Sequence, residues 1–130
     1  MGDLLRQEVT ATAEKIVVKV GTRVLTDRQG KLDLDRISSL AKQLAVVAES
    51  GRQVVLVSSG AVGAGMNRLG MNARPTDVAT LQAIAAVGQT DLMQTYQTLF
   101  NEQGRIAAQV LLTANELDDR VSYLNVRNTL

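Results

Sequence analysis

No cysteine and no histidine occur in this sequence. The first absence excludes disulfides and thiolate metal sites. The second excludes imidazole catalysis and imidazole metal ligation. Any metal must therefore sit on oxygen ligands, a chemistry that suits Mg²⁺. Tryptophan is missing too, and with one phenylalanine and two tyrosines the core must be built from aliphatic residues and alanine. A net charge of +1 gives no electrostatic case for nucleic acid or an anionic membrane. No apolar run is long enough to span a bilayer. Met1-Gly2-Asp3-Leu4-Leu5-Arg6 lacks a signal-peptide core, and Arg6 stands where a myristoylation motif wants Ser or Thr. A soluble cytoplasmic protein with no nucleic-acid or membrane partner is the expectation.

What is present, over 130 residues, is material for one core and too little for two domains. Its centre is Val54-Val55-Leu56-Val57-Ser58-Ser59-Gly60-Ala61-Val62-Gly63-Ala64-Gly65. Four consecutive β-formers suit a strand covered on both faces, as in a parallel sheet. The small residues that follow leave the carboxyl end of that strand bare, where an open α/β sheet binds its ligands. Backbone N–H groups there, aided by a helix N-terminus, suit an anion.

Residues 1–14 carry charge and threonine without a clear period and read as a flexible lead-in. Lys15-Ile16-Val17-Val18-Lys19-Val20-Gly21 is a second buried-strand pattern. Lys19 is its anomaly, because a lysine on an apolar strand costs desolvation unless it finds an anion or solvent. It either snorkels out at the strand end or faces a ligand. Thr22 to Leu32 suits a small hairpin turning at Asp27-Arg28-Gln29-Gly30. Asp33 is a helix N-cap candidate, and Ile37, Leu40, Ala41, Leu44, Val47 and Ala48 share one helical face up to Gly51. The strand Gln53–Val57 completes a βαβ unit.

A helix is expected over Ala61–Leu69, then a loop, then a start signal at Pro75-Thr76-Asp77 with Thr76 as cap. Ala79–Gln103 should be mostly helical, bent or split near Gly88, with Leu92, Met93, Tyr96, Leu99 and Phe100 on one face. Ile106–Leu112 is a third strand candidate. Thr113 or Asn115 should cap a last helix running to Leu130, where no stop signal stands, so a longer chain is expected.

The glycines at 60, 63 and 65 fail both common nucleotide fingerprints. Met66-Asn67 replace the Lys-Ser of a Walker A loop, and Arg68 stands where a dinucleotide fold needs its third glycine. They serve either close helix packing or phosphate and carboxylate binding. One of Ser58 and Ser59 is expected to cap the following helix. Glu116, Asp118 and Asp119 sit near a helix start, where the dipole alone accounts for them.

Five segments, in this order, resemble the amino acid kinase family. They are Val17-Val18-Lys19-Val20-Gly21-Thr22, Ser58-Ser59-Gly60-Ala61-Val62, Ala85-Ala86-Val87-Gly88-Gln89, Gln109-Val110-Leu111-Leu112-Thr113, and Tyr123-Leu124-Asn125-Val126-Arg127-Asn128-Thr129-Leu130. The second, third and fifth of these resemble most the branch that phosphorylates glutamate. The resemblance implies a three-layer α/β/α sandwich with a mainly parallel sheet, here residues 15–130 as its N-terminal, acceptor-side portion, incomplete at the C-terminus. It implies transfer of the ATP γ-phosphate, with Mg²⁺, to the γ-carboxylate of L-glutamate, the opening step of proline synthesis.

By resemblance Lys19 is catalytic and binds phosphate together with Gly21 and Thr22, while Ser59, Gly60 and Ala61 hold glutamate. The family chain continues past position 130 with further substrate loops, a second lysine and most of the adenine pocket. This chain alone is therefore expected to be inactive, and the full-length form a homo-oligomer. Open alternatives are another acceptor of the family (N-acetylglutamate, aspartate or carbamate) and a non-catalytic binding or dimerisation module.

Overall fold

A computed structural model describes residues 2–130. Its centre is one parallel strand pair, β1 (Lys15–Val20) and β2 (Gln53–Ser58), joined by the helix α3 (Leu34–Glu49). Lys19 pairs with Val57 and Val20 with Ser58, so the two strands end level with each other. Side chains alternate along β1. Ile16, Val18 and Val20 turn inward, whereas Lys15, Val17 and Lys19 are exposed. The β1–β2 pair is thus covered on one face, not both. Val17 (67% exposed) and Val57 (46%) lie bare on the other face, which a three-layer sandwich would cover. The α/β class with a parallel sheet is what the chain has; helices pack on one side of it.

The inner face meets α3 and α5 (Val78–Glu102). Val20, Leu25, Ile37, Ala64, Leu92 and Tyr96 form the buried cluster, with Val18, Leu32, Leu40, Leu56, Leu99 and Phe100 packed around it. On α3 the buried Ile37, Ala41 and Leu44 follow the expected stripe, and Ala45 joins them. The Asp33 side chain accepts from the Arg36 N–H at 3.1 Å, as an N-cap does. Gly51 closes α3 at φ +85°, a conformation that favours glycine.

Four expectations change. Residues 2–12 form a helix, α1 (Gly2–Thr12), with its side chains exposed from Asp3 onward. Thr22–Leu32 is only partly a hairpin: Thr22–Leu25 coils into one helical turn, α2, which buries Leu25 completely. The ribbon survives as a Thr26–Leu32 bridge, turned where the Asp27 carboxylate accepts from the Gln29 and Lys31 N–H groups at 2.8 and 3.0 Å. Asp77, not Thr76, caps α5, accepting from the Thr80 N–H at 2.8 Å; those Thr80 contacts hold its carboxyl below its ordinary value. Finally, Arg105–Thr113 joins no sheet, and Ile106 is 95% exposed, because β-formers need a partner strand that these residues do not meet.

The chain ends in α6 (Ala114–Asp118) and α7 (Arg120–Thr129). Glu116 accepts from the Thr113 N–H at 2.6 Å, and Asp119 from the Ser122 N–H at 2.8 Å. Thr113 is the N-cap of α6, one of the two caps expected, with Glu116 completing its capping box. Asp119 caps α7, a role more specific than the dipole expected of these acids. Among the described residues no helix is long and apolar enough to cross a membrane.

The helix α4 (Ala61–Arg68) lies against α5 with backbone nearly touching backbone. A Cβ at Gly88 would overlap the Ala61 carbonyl oxygen, and one at Gly65 would overlap the Ile84 carbonyl. Gly88 therefore neither bends nor splits α5, which runs unbroken; it is where α4 seats. Gly63 faces the Gly30 carbonyl and Thr26, each 2.9 Å from where a Cβ would stand. Close packing, rather than ligand binding, accounts for Gly63 and Gly65. Gly88→Ala should destabilise the chain by about 2 kcal/mol or more in urea unfolding, because backbone cannot move aside as a side-chain tip can. Gly21→Ala is the control. Its Cβ would meet nothing within 4 Å and its φ is −78°, so stability should be unchanged or raised by at most about 1 kcal/mol.

Candidate functional site

Two corners form where the parallel strands end. The first is Lys19-Val20-Gly21-Thr22, the end of β1 and its passage into α2. The second is Ser58-Ser59-Gly60-Ala61, the passage from β2 into α4. A direct hydrogen bond joins them: the Thr22 hydroxyl donates to the Ser59 carbonyl at 3.0 Å. Lys19 and the serine–glycine turn thus share one rim of the sheet, the end at which α/β folds carry their chemistry.

Lys19 is exposed on the open face of the sheet. Among the described residues it takes part in no ion pair and no side-chain hydrogen bond. Its ammonium is therefore available to an anion arriving at the rim. Gly21 adds no side chain there, and a Cβ would project into open space. That space fits the close approach of a ligand to backbone, not a packing demand.

On the other corner, Ser59 is exposed, Gly60 buried and Ala61 half-buried. Gly60 backs directly onto the core: a Cβ would come within 3.0 Å of Leu92 and 3.3 Å of Leu25. Neither Ser58 nor Ser59 caps α4, contrary to the expectation for one of them. Gly60 occupies the N-cap without a side-chain bond, so no side chain occupies the first amides of α4. Ser58 points the opposite way from Ser59, into the core, where its hydroxyl meets the Tyr96 hydroxyl at 2.9 Å.

Sequence reasoning had placed Tyr96 on the apolar face of α5 and missed this polar contact. A tyrosine among aliphatic residues was the only hint, since a buried phenol normally finds a partner. Burial holds the Tyr96 hydroxyl above its ordinary value, with the Ser58 contact pulling the other way. The remaining candidates play no part at the rim that the structure records. Gln109 is exposed in the unpaired 105–113 stretch, and the carboxylates at 116 and 119 serve their own helices.

One cation, bare backbone beside it and an uncapped helix start can hold an anionic group between two strand ends. The two corners carry neither a carboxylate nor an imidazole, so the arrangement suits an acceptor that is already nucleophilic. A neutral phenol favoured by burial adds a pH signature. Stability due to Tyr96 should be complete below about pH 10 and fall as the pH rises through its elevated value. Tyr96→Phe should remove that alkaline loss while costing about 1 kcal/mol at neutral pH through the lost Ser58 contact, read by urea unfolding between pH 7 and 11.

The description of the amino acid kinase family matches residues 14–130. A glutamate 5-kinase of Rhodopirellula baltica is 55% identical over 126 residues, 97% of this chain and 32% of that relative. Glutamate 5-kinases of Moorella thermoacetica and Thermus thermophilus are each 52% identical, over 91% and 92% of the chain. The chain spans about a third of the length of these relatives, 31–32%. With Lys19, Gly21 and the Ser59–Gly60 turn on one rim inside the matched residues, the chain belongs to the amino acid kinase family.

Proposed function

We propose that these residues form the acceptor-side portion of an enzyme that transfers the γ-phosphoryl group of ATP to the γ-carboxylate of L-glutamate. The observation that supports the reading most is the junction of the two corners. Lys19 and Ser59–Gly60 stand on neighbouring strand ends tied by the Thr22–Ser59 hydrogen bond. The glutamate 5-kinase relatives supply the acceptor.

In this reading glutamate lies along Ser59, Gly60 and Ala61 with its side-chain carboxylate turned toward Lys19. A carboxylate is ionised at neutral pH and needs no base. One of its oxygens attacks the γ-phosphorus. The bond from that phosphorus to the β,γ-bridging oxygen breaks, and ADP leaves with the electron pair. The product is γ-glutamyl phosphate. Phosphoryl transfer is a matter of positioning and of balancing charge on the equatorial oxygens. Lys19 provides that charge, while Gly21 and the Thr22 backbone let the phosphates come close. Among the described residues no three acidic side chains converge as a cation site. Mg²⁺ would accompany ATP and help balance the charge of its phosphates.

The test is a chimera in which residues 14–130 replace the corresponding part of the Rhodopirellula baltica relative. It should release ADP with L-glutamate in preference to N-acetylglutamate, aspartate or carbamate. Lys19→Ala should lower kcat by at least about 10²-fold with the fold intact, the scale of losing one transition-state contact. Preference for another acceptor would overturn the substrate, and near-normal turnover without Lys19 would overturn its role.

A further inference from the structure

The Thr22 hydroxyl is the only side-chain hydrogen bond that joins the two corners among the described residues. It spans 37 positions of sequence. It acts on the carbonyl of Ser59, the residue that immediately precedes the buried Gly60. From behind, Tyr96 meets the hydroxyl of Ser58. The serine–glycine turn is therefore gripped at two consecutive residues, once from the β1 side and once from α5.

Thr22 is itself well fixed. Its own carbonyl accepts from the Thr26 hydroxyl at 2.9 Å, and Thr26 is buried beneath α4 next to Gly63. A hydroxyl has one proton to donate, and that of Thr22 is committed to Ser59. It is thereby not offered to a phosphate.

We propose that Thr22 is a positioning residue. Its side chain sets the distance between the Lys19–Gly21 corner and the acceptor turn, so that whatever the turn holds is presented to Lys19. The inference rests on the proposed reaction for its kinetic consequence, though the tie itself does not depend on it. A phosphate ligand and a tie between corners make different predictions. Losing a phosphate ligand weakens ATP binding. Losing the tie loosens the acceptor turn and leaves the nucleotide side alone.

Thr22→Val keeps the shape, the β-branch and the backbone carbonyl that Thr26 uses, and removes only the hydroxyl. Thr22→Ser restores it. In the chimera, Thr22→Val should raise the KM for L-glutamate about threefold to tenfold, the scale of one net hydrogen bond, with the KM for ATP changed less than about twofold. Thr22→Ser should return the glutamate KM to the parent value. A rise confined to the ATP KM would make Thr22 a phosphate ligand and overturn the proposal, as would no change in either. Amide hydrogen exchange on the 130-residue chain separates this from failure of the kinase reading. Exchange at Ala64, whose N–H donates to the Gly60 carbonyl of the turn at 3.0 Å, should be about threefold to tenfold faster in Thr22→Val, and not in Thr22→Ser. Unchanged exchange would overturn the tie whether or not the chimera phosphorylates glutamate.

Discussion

Register in one parallel strand pair governs this molecule. Because Lys19 lies opposite Val57 and Val20 opposite Ser58, the two chains leave the sheet at the same level. A shift of one residue would turn Lys19 toward the core and Val18 and Val20 toward solvent. The inward set, Val18, Val20 and Leu56, packs with Ile37, Leu92 and Tyr96, and this burial holds the register against slippage. The cation at the rim is thus a consequence of apolar packing on the opposite face.

The second constraint is the close seating of α4 on α5. Gly65 and Gly88 let the helix backbones approach where any side chain would collide. That approach brings Leu92 under Gly60 and Tyr96 within reach of Ser58. The serine–glycine turn therefore rests on α5, while Gly65 and Gly88 face backbone. The turn proposed to hold the acceptor and the backbone that packs on α5 belong to one glycine-rich stretch.

Much of this was readable from sequence because it is local. The valine runs gave both strands, Asp33 and Gly51 bounded α3, and the motif order around Lys19 and Ser59 pointed to the family. What escaped was set by distant partners. The reason for Gly63 and Gly65 lies in Gly30 and Ile84, and the partner of Ser58 lies 38 residues away on α5. Likewise Ile106–Leu112 has the composition of a strand, but composition does not supply a neighbour; the stretch runs exposed and unpaired. Thr76 and Asp77 are both good caps, and only the geometry of the first turn selects Asp77.

The central claim is that Lys19 and Ser59 serve one reacting centre. A double-mutant cycle on kcat/KM for glutamate in the chimera, with Lys19→Arg and Ser59→Ala, measures this most directly. Residues that act on the same bound group should be non-additive, with a coupling of about 1 kcal/mol or more. Effects that add to within about 0.5 kcal/mol would mean that the two corners work independently, and would contradict the account.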